Sequence, residues 1–126
     1  MKRIVSVFLL LFILLLSACG ETTPAKTIQG RVEIFTEDSS VLSKELSTQK
    51  STAEDVLVEA CQSEKIPYTL TNNMFDNFGG IASTETDGWI LYVNGELAQT
   101  GAYEVILEDN FLVEFKYVNY DAVFAQ

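Results

Sequence analysis

Gly88-Trp89-Ile90-Leu91-Tyr92-Val93-Asn94-Gly95-Glu96 is the stretch on which the fold turns. Trp89 to Val93 is aromatic and aliphatic, the composition that sits well on a pleated, half-buried surface. Asn94-Gly95 supplies the two residue types that tolerate the positive φ of a tight hairpin turn. A hairpin is therefore predicted. Side chains alternate along a strand, so Trp89 and Leu91 face one way and Ile90 and Tyr92 the other. Only one of the two aromatics can then lie beneath whatever covers the sheet.

Toward the C-terminus, Asp109-Asn110 reads as a turn before a last strand, Phe111 to Val118. There Phe111, Val113, Phe115 and Tyr117 share one face, against Leu112, Glu114 and Lys116 on the other. Toward the N-terminus, Asn72 to Gly80 has the Asn, Asp and Gly content of a loop. It nevertheless carries Met74, Phe75 and Phe78, which either fold back to cap the core or form an exposed apolar rim.

One helix is clear. Ser51-Thr52-Ala53-Glu54 fits a capping box, with Ser51 as the cap and Glu54 reaching back. Ala53, Val56, Leu57, Ala60 and Cys61 recur at helical spacing on one face, and Pro67 closes the segment. Glu54 and Asp55 complement the positive end of the helix dipole. Before the helix, a strand over Ile28–Thr36, a turn at Glu37–Ser40 and a strand over Val41–Ser47 suggest an N-terminal hairpin. Leu42 and Leu46 share a face of its second strand. One amphipathic helix across a mixed sheet of four to six strands is a two-layer α+β domain, and the arrangement suggests β-grasp-like topology.

The chain of 126 residues carries 18 acidic and 8 basic residues, a net charge of −10. Such a surface repels phosphate backbones and anionic headgroups, which argues against nucleic-acid binding. There is no histidine. The usual zinc ligand sets and the histidine-dependent nucleophile systems are therefore excluded. Asp76, Asp87 and Asp109 are not spaced as a calcium loop. No nucleophile-and-base constellation is legible, so the expectation is a non-enzyme with no resident metal.

Met1-Lys2-Arg3 precedes an apolar run from Ile4 to Leu16 broken only by Ser6. That run is well short of the ~20 residues of a spanning helix. A basic start, an apolar run and small residues before a cut site describe a signal peptide. Leu16-Ser17-Ala18-Cys19 resembles the lipobox of bacterial lipoproteins. The resemblance implies cleavage after residue 18 and a lipid on Cys19, with the chain held on the extracytoplasmic side of a bacterial membrane. The predicted organisation is a signal peptide at 1–18, a lipidated tether at 19–27 and one domain at 28–126. The other cysteine, Cys61, then has no disulfide partner and reads as a small core residue.

From Ser51 onward the chain resembles the transcobalamin C-terminal-like family of bacterial surface domains. The matching stretches are Ser51-Thr52-Ala53-Glu54-Asp55-Val56-Leu57, Phe78-Gly79-Gly80-Ile81-Ala82-Ser83 and, most specifically, Gly88 to Glu96. Gly101-Ala102-Tyr103 and Leu107-Glu108-Asp109 follow in order. In the vitamin carriers this domain closes over one face of cobalamin while a helical barrel holds the other. The resemblance implies a β-grasp-like fold and a site for cobalamin or another corrinoid. No segment here reads as the helical barrel, and Asn110 stands where the family commonly has glycine. Asparagine tolerates the same left-handed backbone.

The residues expected to meet such a ligand are Phe75, Phe78, Gly79, Gly80, Ile81, Trp89, Tyr92 and Tyr103. Aromatic faces would hold a planar molecule, and Gly79-Gly80 would let the backbone approach it or would simply form a turn. From a different class of function, the domain is instead a protein-interaction or structural module that docks to an envelope transporter or surface protein.

Overall fold

The computed structural model describes residues 26–124. The signal peptide at 1–18, Cys19 and nearly all of the tether lie outside them. No helix among the described residues is long and apolar enough to cross a membrane.

The hairpin predicted around Asn94-Gly95 forms between β6 (Asp87–Val93) and β7 (Glu96–Leu97). Asn94 and Gly95 take φ of 52° and 85°, the doubly positive pair that matches the twist of the flanking strands. The N-terminal hairpin is β1 (Ile28–Phe35) with β2 (Ser40–Thr48). The last strand, β8, runs Phe111–Asn119 and leads into a short helix, α2 (Tyr120–Phe124). The main sheet has the order β2-β1-β8-β6-β7, with β1 and β8 parallel and every other pair antiparallel. It is the mixed five-stranded sheet of an α+β domain.

One face of that sheet is apolar and covered. Val32 stands opposite Val113, Ile34 opposite Phe115, and Leu91 opposite Phe115, so three central strands send large side chains to the same side. Helix α1 (Ala53–Ser63) lies across the β2 side of it with Ala53, Val56, Leu57, Ala60 and Cys61 buried. Two polar contacts fix the helix. The Thr48 hydroxyl donates to Glu59 at 2.7 Å, and Lys44 pairs with Glu64 at 2.6 Å. Lys44 sits on the covered face, and its ammonium reaches the helix end, where the dipole is negative.

The predicted cap is displaced by one residue. Thr52, not Ser51, is the N-cap, and its hydroxyl accepts from the Asp55 N–H at 3.2 Å. The cause is tertiary. Thr52 bridges Ile106, while the Ser51 carbonyl accepts from the Leu107 N–H at 2.7 Å. The backbone up to Thr52 is therefore held extended, and the helix begins after it.

The larger departure is at Asn72 to Gly80, where the loop expected from composition is mostly strand. β3 (Tyr68–Thr71), β4 (Met74–Phe78) and β5 (Ile81–Ala82) form a second, three-stranded sheet. Asn72 and Asn73, at φ of 52° and 63°, make the β3–β4 turn. Gly79 and Gly80, at 62° and 87°, make the β4–β5 turn. The Asn and Gly residues that spelled a loop are two hairpin turns with a strand between them. This small sheet closes the β8–β6 side of the core that the helix leaves open.

Candidate functional site

Where the small sheet meets the main one, six rings gather. Phe75 and Phe78 lie 5.1 Å apart, centroid to centroid, and both approach Phe115, at 5.5 and 5.0 Å. Phe78 meets Trp89 edge-on at 5.1 Å, Trp89 meets Tyr117 at 5.0 Å, and Tyr68 joins through Phe75. Two side chains pin β5 against this cluster. The Trp89 indole N–H donates to the Ile81 carbonyl at 2.8 Å, and the Tyr117 hydroxyl donates to the Ala82 carbonyl at 3.0 Å.

Phe75 and Phe78 thus resolve as caps of the core, not as an exposed rim. Phe78 is fully buried, and Phe75 and Trp89 are each 6 % exposed. Trp89 and Leu91 face the core while Ile90 and Tyr92 lie on the opposite face, as alternation requires. Tyr92 there stacks beneath the Lys116 ammonium, 4.4 Å from its ring centre. Gly79 and Gly80 serve the turn. A Cβ on Gly79 would stand 2.9 Å from Val41 Cγ1, while one on Gly80 would meet nothing. Ile81 contributes its carbonyl to Trp89. Tyr103 is 45 % exposed with its ring against Gly101, and the neighbouring Glu104 charge pushes its hydroxyl pKa upward. The expected ligand residues therefore do not converge on one place.

Part of the set does border a groove. Beside the outer edge of β6 lies a hollow of about 270 Å³ whose floor includes Phe75, Trp89 and Leu91. Met74 and Phe124, 70 % and 57 % exposed, also line it, together with Gln99, Thr100 and Gly101. Tyr103 reaches this rim through Gly101. No charged side chain lines the groove. Three larger hollows, of about 590, 570 and 520 Å³, are lined in part by Arg31 and Glu45, by Glu37, Asp38, Asp87 and Lys116, and by Lys50 and Glu59. Those are charged and shallow faces of the sheet, so the smaller neutral groove is the better place for an apolar ligand.

Met74 was visible in sequence as an apolar residue in a polar stretch. Phe124, Gln99 and Thr100 carried no sequence signal, because their contribution depends on where the chain passes after β7 and β8. Among the described residues, no group of three or more His, Cys, Asp or Glu side chains is placed to hold a metal ion. Asp109 instead accepts from the Gln29 N–H at 2.8 Å, and Asp87 accepts from the Thr86 hydroxyl at 2.8 Å.

Residues 50–119, more than half of the chain, match a family described as a domain of unknown function, DUF4430. No curated protein matches. The crystal structure of haptocorrin in complex with Cbi superposes with a TM-score of 0.68 at 16% identity, over 82% of this chain and 28% of that one. This chain thus spans less than a third of haptocorrin. A protein of Ruminococcus gnavus to which metal binding has been ascribed superposes with a TM-score of 0.58 at 14% identity, over 73% of this chain and 97% of that one. At such identities the likeness is one of fold.

Proposed function

The chain belongs to the DUF4430 family, and from that premise we propose that it is a non-enzymatic binding module of the bacterial cell envelope whose neutral groove beside Trp89 takes a small, amphipathic, planar ligand. A corrinoid is the named candidate. The observation that carries this reading is an apolar, uncharged groove in a fold shared with a haptocorrin–Cbi complex. The central parallel pair β1–β8 in the order β2-β1-β8-β6-β7 supports the finer β-grasp reading.

The residues fit part of such a ligand. Phe75 and Trp89 offer apolar surface, and the amides of Asn73 and Gln99 with the Thr100 hydroxyl offer hydrogen bonds to peripheral amides. The groove, at about 270 Å³, lies at the foot of the roughly 300–1,000 Å³ usual for ligand pockets. It would hold the rim of a corrin and leave the rest for another surface. With no histidine in the chain, no imidazole is available to a cobalt ion, so recognition would run through the ligand's edge. Titrating the full chain with cobinamide and with cobalamin, by calorimetry and absorbance, tests the reading. Saturable heat that Met74→Lys weakens would support it. Absence of heat and of spectral change at high micromolar ligand would sink it.

The envelope location rests on Leu16-Ser17-Ala18-Cys19. An acidic chain has only repulsive electrostatics with an anionic membrane, and two or more acyl chains overcome that at ~0.8 kcal/mol per buried methylene. Cys19→Ala should therefore abolish the added lipid mass and release a soluble form or leave an uncleaved precursor. A wild-type chain washed from membranes by salt, without added lipid mass, would overturn the anchor. The second reading, docking to an envelope transporter or surface protein, is favoured by one observation: among the described residues, β7 pairs with β6 only at Tyr92 and Val93, so the start of β6 has no partner strand on its outer side.

A further inference from the structure

We infer that Tyr120 is a positioning residue for the neutral groove: its ring, seated on Gly88, holds α2 and keeps Phe124 in the groove's lining, so that the groove admits the thin edge of a flat ligand and excludes bulkier groups. Glycine within a strand often marks the close approach of another element. Gly88 is such a case. It lies in β6 and is buried, and a Cβ on it would overlap the Tyr120 hydroxyl and stand 2.6 Å from Cζ. Two further sets of bonds fix the same spot. The Tyr120 N–H donates to the Thr86 carbonyl at 2.9 Å, and the Asn119 side-chain oxygen accepts from the N–H groups of Asp121 and Ala122 at 3.0 and 3.3 Å. Asn119 thereby caps α2.

The end of α2 follows from its start. Tyr120 and Phe124 are four residues apart and share one face of the helix. Gly88 and Ile90 are two apart and share the open face of β6. Four helical steps rise about 6 Å, and two strand steps span about 6.8 Å. A helix whose first residue stands on Gly88 therefore carries its last to Ile90, and Ile90 and Phe124 both line the groove. No α2 side chain is buried, Phe124 included, so the helix depends on the contacts at its start. With Phe124 in its lining the groove measures about 270 Å³, small for a ligand pocket, and loss of a lining side chain widens it. The ligand preference rests on the proposed function; the positioning of Phe124 does not.

The test uses the full chain carrying Cys19→Ala, in which Cys61 is the only native thiol, with a reporter thiol introduced into the groove's lining by Ala98→Cys. The probes are N-methylmaleimide and N-cyclohexylmaleimide, one electrophile with a slim and a bulky substituent. Their rate ratio on a short cysteine peptide is the reference. The bulky reagent should lag at least several-fold beyond that reference. Tyr120→Ala and Phe124→Ala should each bring the ratio back toward the peptide value, and Tyr120→Phe, which keeps the ring, should not. Gly88→Ala should act as Tyr120→Ala does, and adding Tyr120→Ala to it should cost no further stability. Cys61, wholly buried, should stay unmodified throughout, which separates a widened groove from an opened domain. A ratio that Tyr120→Ala leaves unchanged would overturn the assignment. So would the absence of any lag in the parent chain, or modification of Cys61 in Tyr120→Ala. No corrinoid enters the assay, so failure of cobinamide to bind would sink the proposed function and leave the positioning of Phe124 standing, while an unmoved ratio would do the reverse.

Discussion

Phe75 and Phe78, three residues apart on one strand, point to the same side, their rings 5.1 Å apart and nearly parallel at 21°. A regular strand would send them to opposite faces. The pairing explains the exception. Thr69 stands opposite Asn77 and Leu70 opposite Phe75, so Asp76 is an extra residue on β4. This bulge turns both phenylalanines into the core and leaves Asp76 exposed, its carbonyl accepting from the Ser83 N–H at 2.7 Å. A second bulge, between Ile34 and Phe35 of β1, makes Val41 the extra residue on β2, and Val41 is the side chain that meets Gly79. Two bulges thus shape the junction of the two sheets.

Trp89→Phe should destabilise the domain by about 1–3 kcal/mol, combining lost ring volume with an orphaned acceptor at Ile81. The indole N–H is the group that holds β5 to the main sheet at this point. Urea titration followed by circular dichroism measures the cost, and an unchanged slope with a lower midpoint is the expected form. Hydrogen exchange should show β5 and the Gly79-Gly80 turn opening more readily than β1.

Gly79→Ala should cost more than Gly80→Ala, although both glycines have positive φ. Each substitution carries a left-handed backbone penalty of about 1–2 kcal/mol. Gly79→Ala adds a contact of 2.9 Å with Val41 Cγ1, while Gly80 faces open space. Val41→Ala in the same chain should recover the difference between the two. Equal melting temperatures for the two single variants would refute the contact.

Thr52→Ala should cost about 1 kcal/mol, the usual value of a side-chain cap, and Ser51→Ala a few tenths at most. The structure gives the Asp55 N–H to Thr52, while Ser51 acts through its carbonyl, which alanine retains. Denaturation midpoints of the two variants decide between the caps. A larger loss from Ser51→Ala would restore the capping box read from the sequence.

Burial pushes the Cys61 thiol up to about 11, from an ordinary value of 9.0. The folded state therefore holds its proton where the unfolded chain has released it. The stabilisation is fully present below pH 9 and is lost as pH rises from about 9 toward 11. The fall should be on the order of 1–3 kcal/mol across that window, and Cys61→Ala should lack it. At neutral pH a thiol reagent should modify Cys61 only as fast as the domain opens, since the side chain is wholly buried.

Much of this protein is determined by local chemistry that the sequence states outright. Asn94-Gly95 can be little else than a hairpin turn, because two adjacent positive φ angles exclude most other pairs. The stripe from Ala53 to Cys61 is a helix by its period, and Phe111, Val113 and Phe115 are a buried strand face by theirs. The acidic charge and the lack of histidine likewise restrict function before any contact is known. The tertiary structure decided the rest, wherever one added residue or one distant partner overrides a local rule. The extra residue Asp76 reversed the facing of Phe78 relative to Phe75. The bridge from Thr52 to Ile106 moved the cap. The passage of the chain after Leu97 and beyond Asn119 brought Gly101 and Phe124 to one groove beside Trp89. Alternation and period describe a segment against itself, whereas a groove is made between segments, and only packing brings those together.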